Sequence, residues 1–192
     1  LDVNYLKQTL SSSPKRFTSG AKSNVTILFP VTNGQFENFR IQESSNMDPE
    51  LAAKYPEIKS YVGQGIENPN STLYFSLSPL GLYSMMIRPD QTAVFIEPYT
   101  KDLSSYTVYT SLDKIASLSK FECKVIATAH KDLDKSLAAR PNADDGKLRN
   151  FRLALSVTGE YTSYFGGTKA LALAAINNSM TRVNGVFEKD FG

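Results

Sequence analysis

The chain has one cysteine, one histidine and no tryptophan among its 192 residues. A single cysteine excludes an internal disulfide and any zinc site built from cysteines alone. A single histidine, His130, excludes a multi-histidine metal site made from these residues. No apolar run approaches the roughly 20 residues that a membrane-crossing helix needs, so no helical span is expected. Charge of one sign is also scarce. There are 21 basic and 19 acidic residues, a formal net charge of +2, and the two signs are interspersed. That leaves no electrostatic footprint for a nucleic-acid duplex, and nucleic acid is not an expected partner.

What is present is an ordinary globular mixture, 41% hydrophobic and 21% charged. The chain starts at Leu1, with no Met and no charged-then-apolar leader. This is the pattern of a processed protein, and secretion with a removed signal peptide is the expected localisation. Asn-x-Ser/Thr triplets occur at Asn24, Asn70 and Asn177, too common a pattern to fix a compartment.

Along the chain, a short helix is expected from Leu1 to Leu10, then a Ser-rich basic linker to residue 23. Val25 to Phe29 is a β-type run ending at Pro30. Thr32-Asn33-Gly34-Gln35 is a turn signal, and Phe36, Phe39 and Ile41 complete a first hairpin. Asp48 and Pro49 open a short helix that Pro56 ends at Tyr55. Gly63, Gly65 and Pro69 read as a loop. Leu73, Phe75 and Leu77 then alternate with Thr72, Tyr74 and Ser76, the pattern of a half-buried strand. Leu82–Ile87, Ala93–Ile96, Tyr106 with Val108, and Phe121-x-Cys123-x-Val125 are further strand candidates. The count of 10 Tyr and 11 Phe fits sheet packing; no basic groove accompanies the rings to stack bases.

Lys131 to Asn150 carries few large apolar residues and reads as an exposed linker. Lys135, Arg140, Lys147 and Arg149 are candidate cleavage points for a trypsin-like protease, or simply parts of a solvated loop. After the linker, Leu153, Leu155 and Val157 alternate with Arg152, Ala154 and Ser156, giving one strand. Gly166-Gly167 breaks the chain; it lacks the further glycines and the lysine of a phosphate loop. Thr168 caps a helix to about Glu188. Its apolar stripe is Leu173, Ile176, Met180, Val183 and Phe187, with Asn177, Asn178, Thr181 and Arg182 away from it. A strand followed by a helix with such a stripe is the opening of an α/β domain, whose next strand is expected beyond Gly192. Packing of the helix on the preceding β-rich part ranks second.

Several segments resemble a known family. Met47-Asp48-Pro49-Glu50-Leu51-Ala52-Ala53-Lys54-Tyr55-Pro56-Glu57-Ile58-Lys59-Ser60-Tyr61-Val62-Gly63-Gln64-Gly65 resembles the propeptide of secreted bacterial zinc metallopeptidases of the reprolysin-like (adamalysin) group of metzincins. Asp2 to Leu10 with Ser13-Pro14-Lys15, and Leu77-Ser78-Pro79-Leu80-Gly81-Leu82, are similar to the same propeptide. Phe151-Arg152-Leu153-Ala154-Leu155-Ser156-Val157-Thr158-Gly159-Glu160-Tyr161 resembles the first strand of the catalytic domain. Ala174-Ala175-Ile176-Asn177-Asn178-Ser179-Met180-Thr181-Arg182-Val183-Asn184 resembles its first long helix.

The resemblance implies an α+β chain in two parts. Residues 1–145 would be a β-rich prodomain with short helices and a C-terminal linker. Residues 146–192 would be the opening strand and long helix of a metzincin-like α/β catalytic domain, incomplete here. The implied function is the front part of a secreted zinc metalloendopeptidase precursor. Its prodomain would be an intramolecular chaperone and latency-keeping inhibitor, removed by cleavage at Arg140, Lys147 or Arg149. The implied partners are its own catalytic domain and an activating protease, and the implied cofactor of the full-length parent is zinc. The family's zinc motif, His-Glu-x-x-His-x-x-Gly-x-x-His, does not occur, so this segment should be inactive alone and holds no catalytic residue. The alternative is a stand-alone β-rich extracellular binding or inhibitor module.

Cys123 is the candidate switch. By analogy with metzincin precursors, its thiolate would take the fourth zinc position and exclude the catalytic water. In phase with Phe121 and Val125, it reads first as a small core hydrophobe, with the zinc switch ranking second, and an Asp could do the blocking instead. His130, in a polar stretch beside Lys131, reads first as a surface histidine, with a zinc contact ranking second. The resemblance implies that Glu160 and Tyr161 belong to the scaffold near the strand end, without a chemical role.

Overall fold

The computed structural model describes residues 2–18, 23–90, 92–113 and 151–191. The chain divides into two units, Leu1–Lys114 with Val157–Gly192, and Ile115–Ser156. The second expected strand-bearing stretch, Phe121 to Val125, and the 145/146 boundary fall outside the described residues.

The first unit is a mixed α+β fold around a curled, antiparallel, seven-stranded sheet. Helix α1 (Val3–Leu10) opens with Asp2, whose carboxylate accepts from the Tyr5 amide at 2.9 Å. Strands β1 (Thr26–Pro30) and β2 (Phe36–Glu43) form the expected hairpin around a tight turn at Thr32–Gly34. Gly34 takes a left-handed φ of 71°, which glycine adopts without strain. Helix α2 (Pro49–Lys54) starts as its sequence requires. The Asp48 side chain accepts from the Glu50 amide at 2.9 Å, Pro49 sits in the first turn, and the helix stops at Tyr55 before Pro56. Strands β3 (Lys59–Gly65), β4 (Thr72–Ser78), β5 (Gly81–Ile87), β6 (Ala93–Pro98) and β7 (Tyr106–Thr110) follow, each paired antiparallel with its predecessor. The sheet order is the chain order, β1 to β7.

Gly63 and Gly65 lie inside β3, not in a loop. The reason is cross-strand packing. A Cβ on Gly63 would meet Ile41 Cδ1 at 2.8 Å and Phe39 Cβ at 3.0 Å. Glycine there makes room for the two large side chains of β2 rather than breaking the strand.

One side of the sheet carries the apolar core. Phe29, Phe39, Ile41, Tyr61, Leu73, Phe75, Leu77, Leu82, Met86, Val94 and Ile96 pack there with Leu6 and Leu10 of α1. Tyr61 stacks on Phe75 at 4.9 Å and Phe29 tilts against Phe75 at 5.1 Å.

The last helices are α3 (Gly159–Tyr164) and α4 (Lys169–Phe191). The Thr168 hydroxyl accepts from the Leu171 amide at 3.2 Å, as a cap should. Two expectations are corrected here. Residues 151–158 form no strand; Phe151, Leu153, Leu155 and Val157 stand exposed. No neighbouring strand among the described residues supplies the ladder hydrogen bonds that an alternating sequence needs to become a strand. And α4 does not bury its apolar stripe. It packs on β4 and β5 through Ala174, Asn177, Asn178, Thr181 and Gly185. Val183 is 41% and Phe187 57% exposed, while Leu173, Ile176 and Met180 are partly buried. The helical period was legible, but hydrophobicity picked the wrong side. Small and amide side chains let the helix axis come closer to the sheet than Leu or Met would.

Candidate functional site

The opposite side of the sheet, under α4, is where the structure concentrates its buried polar side chains. Alternation places Ser60 and Val62 of β3, Tyr74 and Ser76 of β4, and Met85 of β5 on this side. Both flanks of β4 are thus buried: Leu73, Phe75 and Leu77 in the apolar core, Tyr74, Ser76 and Ser78 toward the other side. The half-buried pattern read from the sequence became a fully buried strand because α4 lies over it.

The hydroxyls and amides pair across this contact. Ser60 Oγ donates to Asn177 Oδ1 at 2.9 Å, and Ser76 Oγ donates to Asn178 Oδ1 at 2.6 Å. Asn46, in the loop before α2, donates from Nδ2 to Thr181 Oγ1 at 2.8 Å and accepts from Asn184 Nδ2 at 2.9 Å. Asn177 Nδ2 is buried without a hydrogen-bond partner. Gly185 is the point of closest approach: a Cβ there would lie 2.7 Å from Tyr74 Cδ2 and 2.8 Å from Met85 Cε.

Ion pairs flank the contact. The Arg182 guanidinium donates to Glu97 on β6 and lies 5.2 Å over the Phe95 ring; the Tyr109 hydroxyl donates to the same carboxylate at 2.9 Å. At the far end of α4, Arg16 Nη1 donates to both Glu188 oxygens at 2.8 Å. The Tyr74 hydroxyl donates to Glu188 Oε2 at 3.2 Å. A cavity of about 390 Å³ opens beside this end, lined by Thr72, Tyr74, Arg88, Glu188 and Lys189 among others.

Electrostatics keep the phenols of this side neutral. Burial pushes the Tyr74 hydroxyl up to about 12, with the Glu188 carboxylate adding to it. Burial likewise raises Tyr83 and Tyr109, helped in both by Glu97. The arrangement is a register of hydroxyls, amides and ion pairs between α4 and the sheet.

Of the residues singled out in the sequence, Cys123, His130, Lys135, Arg140, Lys147 and Arg149 lie outside the described residues. Glu160 sits in the first turn of α3, exposed, its carboxyl held low by its own backbone amide and the Thr158 hydroxyl. Tyr161 packs on Phe165 at 4.8 Å. Among the described residues, no three His, Cys, Asp or Glu side chains converge into a group able to hold a metal ion, so these residues do not fit a zinc site. Also among them, no helix is long and apolar enough to cross a membrane. Asn177, one of the three Asn-x-Ser/Thr asparagines, is buried in the helix contact. Sequence reasoning missed the Ser60, Ser76, Asn46, Asn177 and Asn178 cluster. Its one readable signal was small and polar residues recurring at helical spacing from Ala174 to Gly185.

No protein-family model, no curated protein and no solved structure matches the chain.

Proposed function

We propose that this chain is the front part of a secreted zinc metalloendopeptidase precursor. In this reading the β-rich part is an intramolecular chaperone and a latency-keeping inhibitor, and α3 and α4 begin the peptidase part. An activating protease separates the two at Arg140, Lys147 or Arg149. Beyond the resemblance of the sequence, one observation supports the reading. Phe151, Leu153, Leu155 and Val157 keep strand-type alternation yet stand exposed, in no strand among the described residues. On α4 itself, Val183 and Val186 are 41% and 44% exposed. Local pattern and local environment disagree here, and such disagreement marks a segment whose packing is not complete within the described residues.

Zinc belongs, in this proposal, to histidines of the parent that this chain does not contain, so no catalytic step is derived from the residues present. Cys123 remains the proposed blocking ligand. Tethering gives a blocking segment a local concentration on the order of millimolar, lost once the linker is cut. The test uses native secreted material: intact mass of every co-purifying polypeptide, zinc content, and peptidase activity before and after cleavage between Arg140 and Arg149. A longer precursor or second polypeptide carrying the three-histidine motif, with activity appearing on cleavage, is the expected result. Equal activity of cleaved and uncleaved precursor sinks it.

A second reading has one observation in its favour. The polar side of α4 is satisfied by the chain's own sheet, through Ser60 with Asn177 and Ser76 with Asn178. A stand-alone extracellular binding or inhibitor module would look like this. A zinc-free 21.2 kDa species with no longer precursor would favour it.

A further inference from the structure

We infer that the side of β3–β5 opposite the apolar core is a releasable grip for α4: the surface by which the β-rich part holds the first helix of the peptidase part and later lets it go. This rests on the reading of α4 given under Proposed function.

The argument starts from what fills the contact. Side chains that α4 brings to the contact are small or hydrogen-bonding: Ala174, Asn177, Asn178, Thr181 and Gly185. The sheet answers with Ser60 and Ser76, beside an apolar patch of Val62, Tyr74, Met85 and Ile87. A hydrogen bond between such groups is exchanged for one to water when the surfaces part, so its net worth is about 0.5–1.5 kcal/mol. Apolar surface behaves otherwise. Parting it costs in proportion to area and leaves two patches that seek each other again. Because α4 adds little apolar area of its own, the contact fixes register by hydrogen bonds and adheres less than an apolar helix face would. Asn177 Nδ2, buried without a partner, weakens it further.

The more apolar side of the same helix is elsewhere. Val183 and Val186 are exposed, and Leu173, Ile176 and Met180 are only partly buried. Release from the sheet does not require that side to change its surroundings. The fastenings sit at the rim: Arg182 with Glu97, and Arg16 with Glu188. Both are partly solvent-exposed, so they orient more than they bind. The position that sets the distance is Gly185, where any side chain would strike Tyr74 and Met85.

The experiment is hydrogen exchange by mass spectrometry on the full chain in four forms: wild type, Gly185→Leu, Ser76→Ala with Asn178→Ala, and Val183→Lys with Val186→Lys. The expected result is that Gly185→Leu speeds exchange across residues 172–186 by about tenfold or more, while amides of Leu73, Phe75 and Leu77 stay slow. Ser76→Ala with Asn178→Ala should do the same to a smaller extent. Val183→Lys with Val186→Lys should leave α4 as protected as in wild type. Three results overturn the inference. The helix could stay protected in Gly185→Leu. The sheet could lose protection together with the helix, making α4 part of one cooperative core. Or the lysine variant could release the helix, showing that the apolar side holds it. Failure of the precursor reading is seen in a different assay, cleavage-dependent peptidase activity. It would leave this exchange pattern standing as a strap of a self-contained module.

Discussion

The two sides of the sheet hold their cargo by different means. The core side buries Phe29, Phe39, Phe75, Leu73 and Ile41 with rings at 4.9 to 6.2 Å, and α1 closes it with Leu6 and Leu10. The α4 side buries serines and asparagines beside a smaller apolar cluster of Val62, Tyr74, Met85 and Ile87. Apolar burial is non-directional and additive in area, so the first side supplies most of the stability and tolerates small shifts. Hydrogen-bonded register is directional and nearly balanced against water, so on the second it supplies alignment at little net gain. One sheet thus carries a mainly apolar side and a side rich in hydrogen bonds, separated by the alternation of a single set of strands.

Substitutions should separate the two. Phe75→Ala removes a ring that is fully buried within the apolar core. It should cost about 3–5 kcal/mol, read by denaturant unfolding of the whole sheet. A loss below about 1 kcal/mol would mean that this side is not the core. Gly63→Val forces side-chain atoms against Ile41 and Phe39 and should cost about 1–3 kcal/mol, again globally. Asn178→Ala strands the Ser76 hydroxyl beneath the helix and should cost about 1–3 kcal/mol. That loss should appear as faster exchange in α4 with the sheet's unfolding midpoint nearly unchanged. A global loss of the same size would merge the two sides into one cooperative unit.

The tyrosines give a pH test that samples both sides at once. Burial raises Tyr61 on the core side and Tyr74 on the α4 side to about 12 each. The fold favours the protonated phenols. Their contribution is therefore complete below the ordinary value of 10 and is lost as pH rises from 10 through about 12. Ultraviolet titration should show phenolate forming late at these two positions, isolated by Tyr61→Phe and Tyr74→Phe. Ordinary titration near 10 at Tyr74 alone would mean α4 does not cover that ring. The smallest effect belongs to Arg16→Ala. Its pair with Glu188 is partly exposed, so the change should stay below about 1 kcal/mol and shrink further in high salt.

Much of the sheet was legible because strands announce themselves by period. Val25–Phe29, Thr72–Leu77, Leu82–Ile87 and Ala93–Ile96 all fall on strands, and Asp48-Pro49 and Thr168 start helices where capping chemistry demands. Failures have one common cause: partners are not written in local pattern. Gly63 looked like a breaker because Phe39 and Ile41, which need its missing side chain, lie more than twenty residues upstream. The stripe of α4 looked like the buried side because hydrophobicity ranks Val183 above Asn178, while the serines that receive Asn178 come from distant strands. Leu153, Leu155 and Val157 looked like a strand, but alternation provides only half of a ladder. The cluster beneath α4 was illegible for the same reason: serine and asparagine are surface residues until a second surface covers them.

The order of the sheet also sets a timetable. Every strand pairs with its immediate successor, so the meander can assemble hairpin by hairpin through local connections, the one between β2 and β3 carrying α2. The contacts of α4 are remote by comparison: Ser76 and Asn178 are 102 residues apart, Tyr74 and Glu188 114. Closing loops of that length comes late, because their entropy is repaid only once the receiving surface exists. As the chain leaves the ribosome, the sheet is therefore a finished bench on which the helix is later laid.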